Sequence, residues 1–430
     1  MAVGPGVNLD AGSPPDERGL VAAVNRVIDQ RAVTTLFQPL VDLVTTEVVG
    51  YEALTRGPEG SEVESPLTLL KGALLAGRLA ELDWLCAARA CDAVIRARLH
   101  PWTTIFLNLK PVTVLTTCPP DLRPSVRAGQ DNLRIVVEMD EGALSDDPGT
   151  LFDAVRAVRS TAWGISIDNA AARPAVLALL PLVRPDVLKL DFRGTKGRLS
   201  EIAQMGDGAR AYSEQTKATV LAQGLEDLDD VWAARLAGAS FGQGWLFGRP
   251  GPLPAEIHVP ISVFPLVQPS PVLDRATPFE IITERCPVAI TNRALLVAFS
   301  HQVEEQVDTN GPPGLLLETF EPGLGRSPSS QQRLRQLAGR AAFLAVLGDG
   351  IEAMEGPAVR TSTARPADPV GREWNVIVLG PHYAVAVTAR AIDQPMTGPD
   401  RRYEYAITHD RDLIVHASAV LWARLPKKGN

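Results

Sequence analysis

The feature that most restricts the fold of this chain is a polar residue at the end of each of several short apolar runs. These residues are Asn108, Glu138, Asp168, Lys189, Asp191, Gln223 and Gln243. Helical hydrophobic patterns separate the runs, which is typical of repeated βα units. The carboxyl ends of the strands of a (β/α) barrel converge on one mouth, where the chemistry is built. The pattern therefore predicts an α/β fold, a (β/α) barrel with a site at its mouth. The alternative is that strands end at polar residues because loops are polar.

The predicted elements follow hydrophobic periodicity. A helix is expected from Asp16 to Gln30, since its apolar residues recur at helical spacing. The strands that we place in the barrel are Thr35–Val41, Thr104–Leu109, Arg134–Glu138, Gly164–Asp168, Val187–Asp191, Thr219–Gln223 and Ser240–Gly244. Beyond the barrel we place strands at Trp374–Leu379, Tyr383–Ala391 and Tyr403–Thr408, and a closing helix at Asp410–Ala423.

Length and proline distribution predict the domain organisation. A chain of 430 residues is longer than one core usually grows. Eight prolines fall within the 29 residues from Pro250 to Pro278, which predicts an extended linker or a strap over the barrel. We therefore expect a disordered leader at 1–15, the barrel at 16–250, a proline-rich linker at 251–278 and a smaller α/β domain at 279–427.

Charge and cysteine content exclude several classes of protein. The net charge of −8 argues against a nucleic-acid partner, which needs a basic face. Cys86, Cys91, Cys118 and Cys286 match no metal motif and are too sparse for a disulfide framework. No apolar stretch is long enough to cross a membrane. These features predict a cytoplasmic protein with free thiols.

Two motifs near the start identify a family. The segments FQPLVD at 37–42 and VGYEALTR at 49–56 resemble the opening of the EAL-type cyclic-di-GMP phosphodiesterase domain. The resemblance continues in order for about 225 residues, through VEMDE at 137–141, KLD at 189–191 and QGWLFG at 243–248. It implies an EAL-type (β/α)8 TIM-like barrel and hydrolysis of a cyclic dinucleotide with divalent cations. Hard Mg²⁺ or Mn²⁺ prefers oxygen ligands, and such cations make hydroxide from water near neutral pH.

The resemblance implies a role for each site residue. The residues at family metal-ligand positions are Glu52, Asn108, Glu138 and Asp168. Lys189 matches a lysine that contacts the attacking water. The residues at nucleotide-binding positions are Gln38, Leu54, Arg56 and Gln243. A structural role for the retained metal-ligand positions is the alternative.

Two catalytic positions depart from the family pattern. Asn169 stands where the family has the second of two consecutive aspartates, so one metal site loses a carboxylate. Gln223 stands where the family has a glutamate, and an amide cannot accept a proton from water. The family's glycine-rich loop is replaced by Ala170–Pro174, while Glu141, which matches the glutamate that anchors that loop, is retained. These changes predict weak or absent hydrolysis.

The second domain more faintly resembles the DICT sensory module. The resemblance rests on its place after the barrel, the segment FEI at 279–281, the predicted strand pair and the helix start DLIVH at 412–416. It implies sensing of an unidentified signal. Dimerisation or docking to a protein is the alternative.

These observations predict a degenerate EAL-domain protein that responds to cyclic-di-GMP with little or no phosphodiesterase activity. One alternative is a functional phosphodiesterase with Mg²⁺ or Mn²⁺, in which Glu226, Asp191 or a single metal compensates. The other is a protein-interaction scaffold that no longer binds nucleotide. The family implies a homodimer, and an unidentified protein partner is expected downstream.

Overall fold

The structure, a computed structural model, describes most of the chain. The described residues are 17–140, 142, 147–169, 174–195, 197–255, 259–260, 262–266, 276–309, 313–321, 327–354, 356, 358–363, 368–380, 383–392 and 401–425. The predicted leader at 1–15 lies outside them. Two compact units are present: one contains the described residues of Met1–Val137 and Phe247–Phe264, and the other those of Glu138–Leu246 and Pro265–Asn430.

Eight strands form a closed barrel in chain order, as the polar strand ends predict. They are β1 (Thr34–Asp42), β2 (Val48–Arg56), β3 (Thr104–Asn108), β4 (Arg134–Asp140), β5 (Gly164–Asp168), β6 (Val187–Asp191), β7 (Thr219–Gln223) and β8 (Phe241–Gly242). The helices of this region are α1 (Glu17–Asp29), α2 (Pro66–Leu75), α3 (Leu79–Ala97), α4 (Pro111–Val114), α5 (Arg123–Asn132), α6 (Pro148–Arg159), α7 (Pro174–Val183), α8 (Leu199–Thr216) and α9 (Leu228–Leu236). The predicted barrel fold is confirmed.

Strand β2 corrects the sequence-based strand set, which omitted it. β1 and β2 pair antiparallel, whereas a run of simple βα units has only parallel neighbours. The register places Gln38 directly opposite Glu52. Glu52 is buried in the middle of β2, which breaks the alternating pattern that identifies a strand in sequence.

Gly50 allows β2 to approach β3 closely. A Cβ atom added at Gly50 would lie 2.4 Å from the backbone oxygen of Thr104. We therefore expect Gly50→Ala to lower the free energy of unfolding by about 1–3 kcal/mol, measured by urea unfolding. Gly19→Ala in α1 is the control, because no heavy atom lies within 4 Å of its added Cβ. Equal stability of the two variants would contradict the close approach of β2 to β3.

The described part of the proline-rich segment in the first unit lies against the barrel. Phe37 and Gly251 exchange two backbone hydrogen bonds, of 2.7 and 3.0 Å. Further along, the buried ring of Phe264 meets that of Phe106 edge-on, with centroids 5.4 Å apart. Arg134 Nη2 donates to the Phe264 carbonyl at 2.8 Å. This segment therefore straps the barrel.

A seven-stranded mixed sheet forms the core of the region after the barrel. Its strands are β9 (Ala289–Asn292), β10 (Leu315–Phe320), β11 (Phe343–Gly348), β12 (Val359–Ser362), β13 (Glu373–Leu379), β14 (Ala384–Ala391) and β15 (Arg402–Thr408). They run in the order β12-β11-β10-β13-β14-β15-β9. The helices are α10 (Pro278–Thr283), α11 (Arg293–Glu304), α12 (Pro328–Ala338) and α13 (Arg411–Trp422), with short 3-10 turns at Glu305–Val307 and Pro369–Arg372. The predicted second α/β fold is confirmed, and strands β9 to β12 were missing from the prediction.

Two sets of helices pack on this sheet. Helices α11 and α12 bury Leu296, Val303 and Leu334 in a cluster with the apolar side chains of β10, β11, β13 and β14. A separate cluster joins α10 to α13 through Ile281 and Leu413. Two pairs of helices, α11 with α12 and α10 with α13, therefore cover the sheet.

Helix α13 also contacts α6 of the barrel, within the larger unit. The ring of Trp422 lies 4.3 Å from that of Phe152 and 5.0 Å from that of Phe343, measured between centroids. Arg360 of β12 lies 3.6 Å from Asp147, the N-cap residue of α6. Both rings of the Trp422–Phe152 pair are buried, so this contact excludes water. Within the described parts of the chain, no helix is long and apolar enough to span a bilayer.

Candidate functional site

Glu52 and Asn108 lie together at neighbouring strands of the first unit. β2 pairs parallel with β3, and Asn108 is the last residue of β3. Asn108 Nδ2 donates to Glu52 Oε1 at 3.1 Å. Glu52 is buried and Asn108 is exposed, so Asn108 is the member of the pair that reaches the surface.

The loop after Asn108 is held from helix α3. Asp83 accepts hydrogen bonds from the Lys110 backbone N–H at 3.2 Å and from the Thr113 hydroxyl at 2.7 Å. Burial raises the pKa of the Asp83 carboxyl, while the two hydrogen bonds act in the opposite direction. Asp83 therefore positions Asn108 indirectly, a role that the sequence analysis did not assign.

The predicted nucleotide-binding residues of β1 and β2 share one face. Glu52, Leu54 and Arg56 alternate along β2, and Gln38 lies opposite Glu52. Leu54 and Arg56 are partly exposed. Gln38 Nε2 donates to the Gly248 carbonyl at 3.1 Å, which fixes the orientation of its amide. Arg56 Nη1 donates to the Thr55 carbonyl at 2.9 Å.

Glu138 and Lys189 form a buried ion pair in the second unit. Lys189 Nζ lies 2.5 Å from Glu138 Oε1, and the two side chains are 1% and 2% exposed. β4 supplies the carboxylate and β6 supplies the ammonium. A charge this deeply buried is strongly destabilising without its partner. The ion pair therefore holds both side chains in place.

Asp168 and Gln223 form the second polar pair of this unit. Gln223 Nε2 donates to Asp168 Oδ1 at 2.7 Å. The reversed amide would place two acceptor oxygens together, so the carboxylate selects this orientation. Gln223 therefore presents a hydrogen-bond donor to Asp168, whereas the glutamate of the family would present a second carboxylate.

Asn169 follows Asp168 in a left-handed backbone conformation, with φ of 55°. Asparagine and aspartate both tolerate this region better than most residues. The backbone at this position therefore suits the family aspartate as well as the asparagine present. The replaced loop, at 170–173, and the retained Glu141 lie outside the described residues.

Gln243 is buried beside β7. Its backbone N–H donates to the Ala222 carbonyl at 2.8 Å, and its carbonyl accepts from Leu225 N at 3.1 Å. The next residue must be Gly244, because a Cβ there would lie 2.0 Å from the Leu225 oxygen. The turn after β8 is thus fixed by the backbone.

Arg193 is a site residue that the sequence analysis missed. It forms an ion pair with Asp191 at the end of β6, with 2.5 Å between Arg193 Nη2 and Asp191 Oδ2. The only sequence signal was a basic residue two positions after the strand-end aspartate. Both side-chain oxygens of Asp191 accept hydrogen bonds from Arg193.

The donor chemistry suits a hard cation only in part. Carboxylate and amide oxygens are the ligand types that Mg²⁺ and Mn²⁺ take. Among the described residues, however, no group of three His, Cys, Asp or Glu side chains could hold a metal ion. The Lys189 ammonium and the Gln223 amide already bind the carboxylates of Glu138 and Asp168. The described residues therefore do not form a ready carboxylate cage.

The Cys86 and Cys91 thiols are poor nucleophiles. Burial raises the pKa of both Cys86 and Cys91 to about 12, so these thiols stay protonated at neutral pH. All four cysteines are free.

Curated relatives share the barrel region. The probable cyclic di-GMP phosphodiesterase PdeB of Escherichia coli K12 is 28% identical over 236 residues, which cover 52% of this chain and 43% of PdeB. The oxygen sensor protein DosP of the same organism is 24% identical over 250 residues, 55% of this chain and 30% of DosP. The chain thus spans less than half the length of these relatives.

Solved structures are similar over the same region. The manganese/cy-diGMP complex of Klebsiella pneumoniae BlrP1 matches with a TM-score of 0.45 and 24% identity, covering 51% of this chain and 56% of that one. The Xanthomonas citri FimX EAL domain in complex with c-diGMP matches with a TM-score of 0.46 and 17% identity, covering 56% and 96%.

Two family models match the chain. The model described as the EAL domain matches residues 21–250. The model described as a sensory domain in diguanylate cyclases and two-component systems, DICT, matches residues 281–391. Because the first match covers more than half of the 430 residues, the chain belongs to the EAL domain family, and a DICT sensory domain follows its barrel.

Proposed function

We propose that this chain is a cyclic-di-GMP-responsive signalling regulator with little or no phosphodiesterase activity. The family and the names of its relatives support cyclic-di-GMP as the nucleotide. The observation that carries the loss of hydrolysis is the hydrogen bond from Gln223 Nε2 to Asp168 Oδ1. In the proposal the nucleotide binds through Gln38, Leu54, Arg56 and Gln243. The domains extend over 16–250 and 279–427, and the protein acts as a cytoplasmic homodimer on an unidentified protein partner.

The chemical argument is the absence of a base. Water must lose a proton to attack a phosphodiester, and general base help is worth about 10²–10⁴-fold in rate. Gln223 cannot accept that proton, and Glu138 is held by the Lys189 ammonium. Asn169 removes a further negative charge that a second cation needs. Binding requires none of these groups to change protonation, so it is retained.

The second candidate is an active phosphodiesterase that uses Mg²⁺ or Mn²⁺. It is favoured by the retention of oxygen ligands at the four family metal positions, which are Glu52, Asn108, Glu138 and Asp168. Lys189 is also retained. When bound, a cation would neutralise the phosphate and lower the pKa of water.

Isothermal titration of cyclic-di-GMP into the full chain with Mg²⁺ tests the proposal, followed by chromatography of the same mixture. We expect saturable binding and no linear dinucleotide. Arg56→Gln is expected to weaken binding about 10-fold or more, because it removes a charged hydrogen-bond donor. The matched control is Arg96→Gln on the exposed face of α3, which should bind normally. Rapid formation of product would establish the second candidate, and the absence of binding would overturn both in favour of a protein scaffold.

A further inference from the structure

A cavity of about 240 Å³ lies between the second sheet and helices α11 and α12. Its apolar lining includes Val297, Leu334, Leu337 and Trp374. Its polar lining includes Glu318, Arg293, His301, the paired Glu304 and Arg333, and the serines at the start of α12. An apolar cavity with a few polar groups is the usual form of a small-molecule site, and this volume lies just below the usual range of about 300–1,000 Å³, so it suits a small ligand.

Glu318 is the unusual residue of this cavity. It lies in the middle of β10, an interior strand of the sheet, between Val346 and Val376 on the neighbouring strands. It is 1% exposed, and its Oε1 atom has no hydrogen-bond partner among the described residues. A buried polar atom without a hydrogen-bond partner is destabilising, so Glu318 Oε1 is a favourable contact for a ligand atom in the cavity.

The surroundings of Glu318 favour its uncharged form. Burial raises the pKa of its carboxyl well above the ordinary value, and the Glu304 carboxylate adds to this effect, while Arg333 opposes it. Arg333 is occupied, because it pairs with both Glu304 and Glu305. A neutral carboxyl has one donor and one acceptor oxygen, so Glu318 can form a hydrogen bond with either kind of ligand atom.

The remaining charges favour an anion. Arg293 lines the cavity, and its side chain makes no hydrogen bond or ion pair with any described residue. Burial and Arg333 lower the pKa of His301, so this imidazole is neutral at pH 7. The N-terminus of the 11-residue helix α12, capped by Ser327, adds a partial positive charge. An amine would therefore meet Arg293 with no free carboxylate to balance it.

We infer that this cavity binds a small organic carboxylate with a planar apolar body. The carboxylate binds Arg293, a polar atom elsewhere on the ligand forms a hydrogen bond with Glu318 Oε1, and the ring packs against Trp374 and Leu337. The site belongs to the second domain and does not depend on nucleotide binding in the barrel. Nothing in the DICT assignment specifies this ligand chemistry.

Three probes with one body test this inference by isothermal titration into the full chain: 4-hydroxybenzoate, 4-hydroxybenzamide and 4-hydroxybenzylamine. We expect the carboxylate to bind at least about 10-fold more tightly than the amide, and the amine to bind least, since a hydrogen bond to a charged group is worth about 10–100-fold. Arg293→Gln should remove the preference for the carboxylate. Arg335→Gln, on the exposed side of α12 and outside the cavity, is the matched control.

Two changes at Glu318 separate its role from folding. Glu318→Gln retains a hydrogen-bond donor and should bind 4-hydroxybenzoate nearly as well as the unaltered chain. Glu318→Leu suits the apolar neighbours and should keep the thermal midpoint, but it should lose about 10-fold in affinity. Equal binding of all three probes, preference for the amine, an unchanged Arg293→Gln variant or no binding at millimolar concentration would each overturn the inference.

Discussion

The double change Asn169→Asp and Gln223→Glu is expected to raise phosphodiesterase activity at least about 10²-fold above that of the unaltered chain. Gln223→Glu replaces the donor at Asp168 with a proton acceptor of the same shape. Asn169→Asp restores a carboxylate at a backbone position that aspartate tolerates. The measurement is the rate at which cyclic-di-GMP is converted to the linear dinucleotide with Mg²⁺ or Mn²⁺. Chromatography of samples taken over time gives this rate.

A charge-matched variant isolates the effect of position. Asn132→Asp with Gln30→Glu makes the same two chemical changes at exposed positions of the first unit. This control should leave the rate unchanged. If the unaltered chain is already as fast as the restored variant, the interpretation of Gln223 is wrong and the chain is an enzyme.

Breaking the buried pair of the second unit is expected to have the largest effect on stability. Lys189→Met leaves the Glu138 carboxylate buried without its cation. Removing one partner of such a pair typically costs about 3–5 kcal/mol. The free energy of unfolding, measured with urea and far-UV circular dichroism, should fall by this amount.

A second substitution, at Glu138, shows whether the unpaired charge causes the loss of stability. Adding Glu138→Leu to Lys189→Met removes the orphaned carboxylate and should recover most of the lost stability. At the exposed Arg335–Glu352 pair, Arg335→Met should cost less than about 1 kcal/mol. A Lys189→Met protein as stable as the unaltered chain would contradict the buried geometry of the pair.

The barrel and its polar strand ends could be predicted from sequence because both have local signatures. Asp168 and Gln223 each end an apolar run, and the structure places each at the end of its strand. The family motifs then gave these positions chemical roles. β2 was missed because a buried glutamate and a close-packed glycine replace the alternating apolar residues.

The pairings between these residues could not be predicted, because they depend on which strands become neighbours. Lys189 and Glu138 are 51 positions apart in the chain, and Gln223 and Asp168 are 55 apart. Hydrophobic periodicity reports only on residues that are close in sequence, so it does not predict such pairings. Glu318 was missed for the same reason: in sequence it is a single charge in an apolar run, and only the sheet buries it.

Because Trp422 packs against Phe152, the barrel and the second domain cannot be exchanged independently for the corresponding domains of other proteins. The DICT match ends at residue 391, yet the aromatic ring that meets barrel helix α6 comes from α13, beyond that match. Recombination at the boundaries of the two matches would leave Phe152 facing water. We expect Phe152 and Trp422 to change together among close homologues, so that the two domains are inherited as one unit.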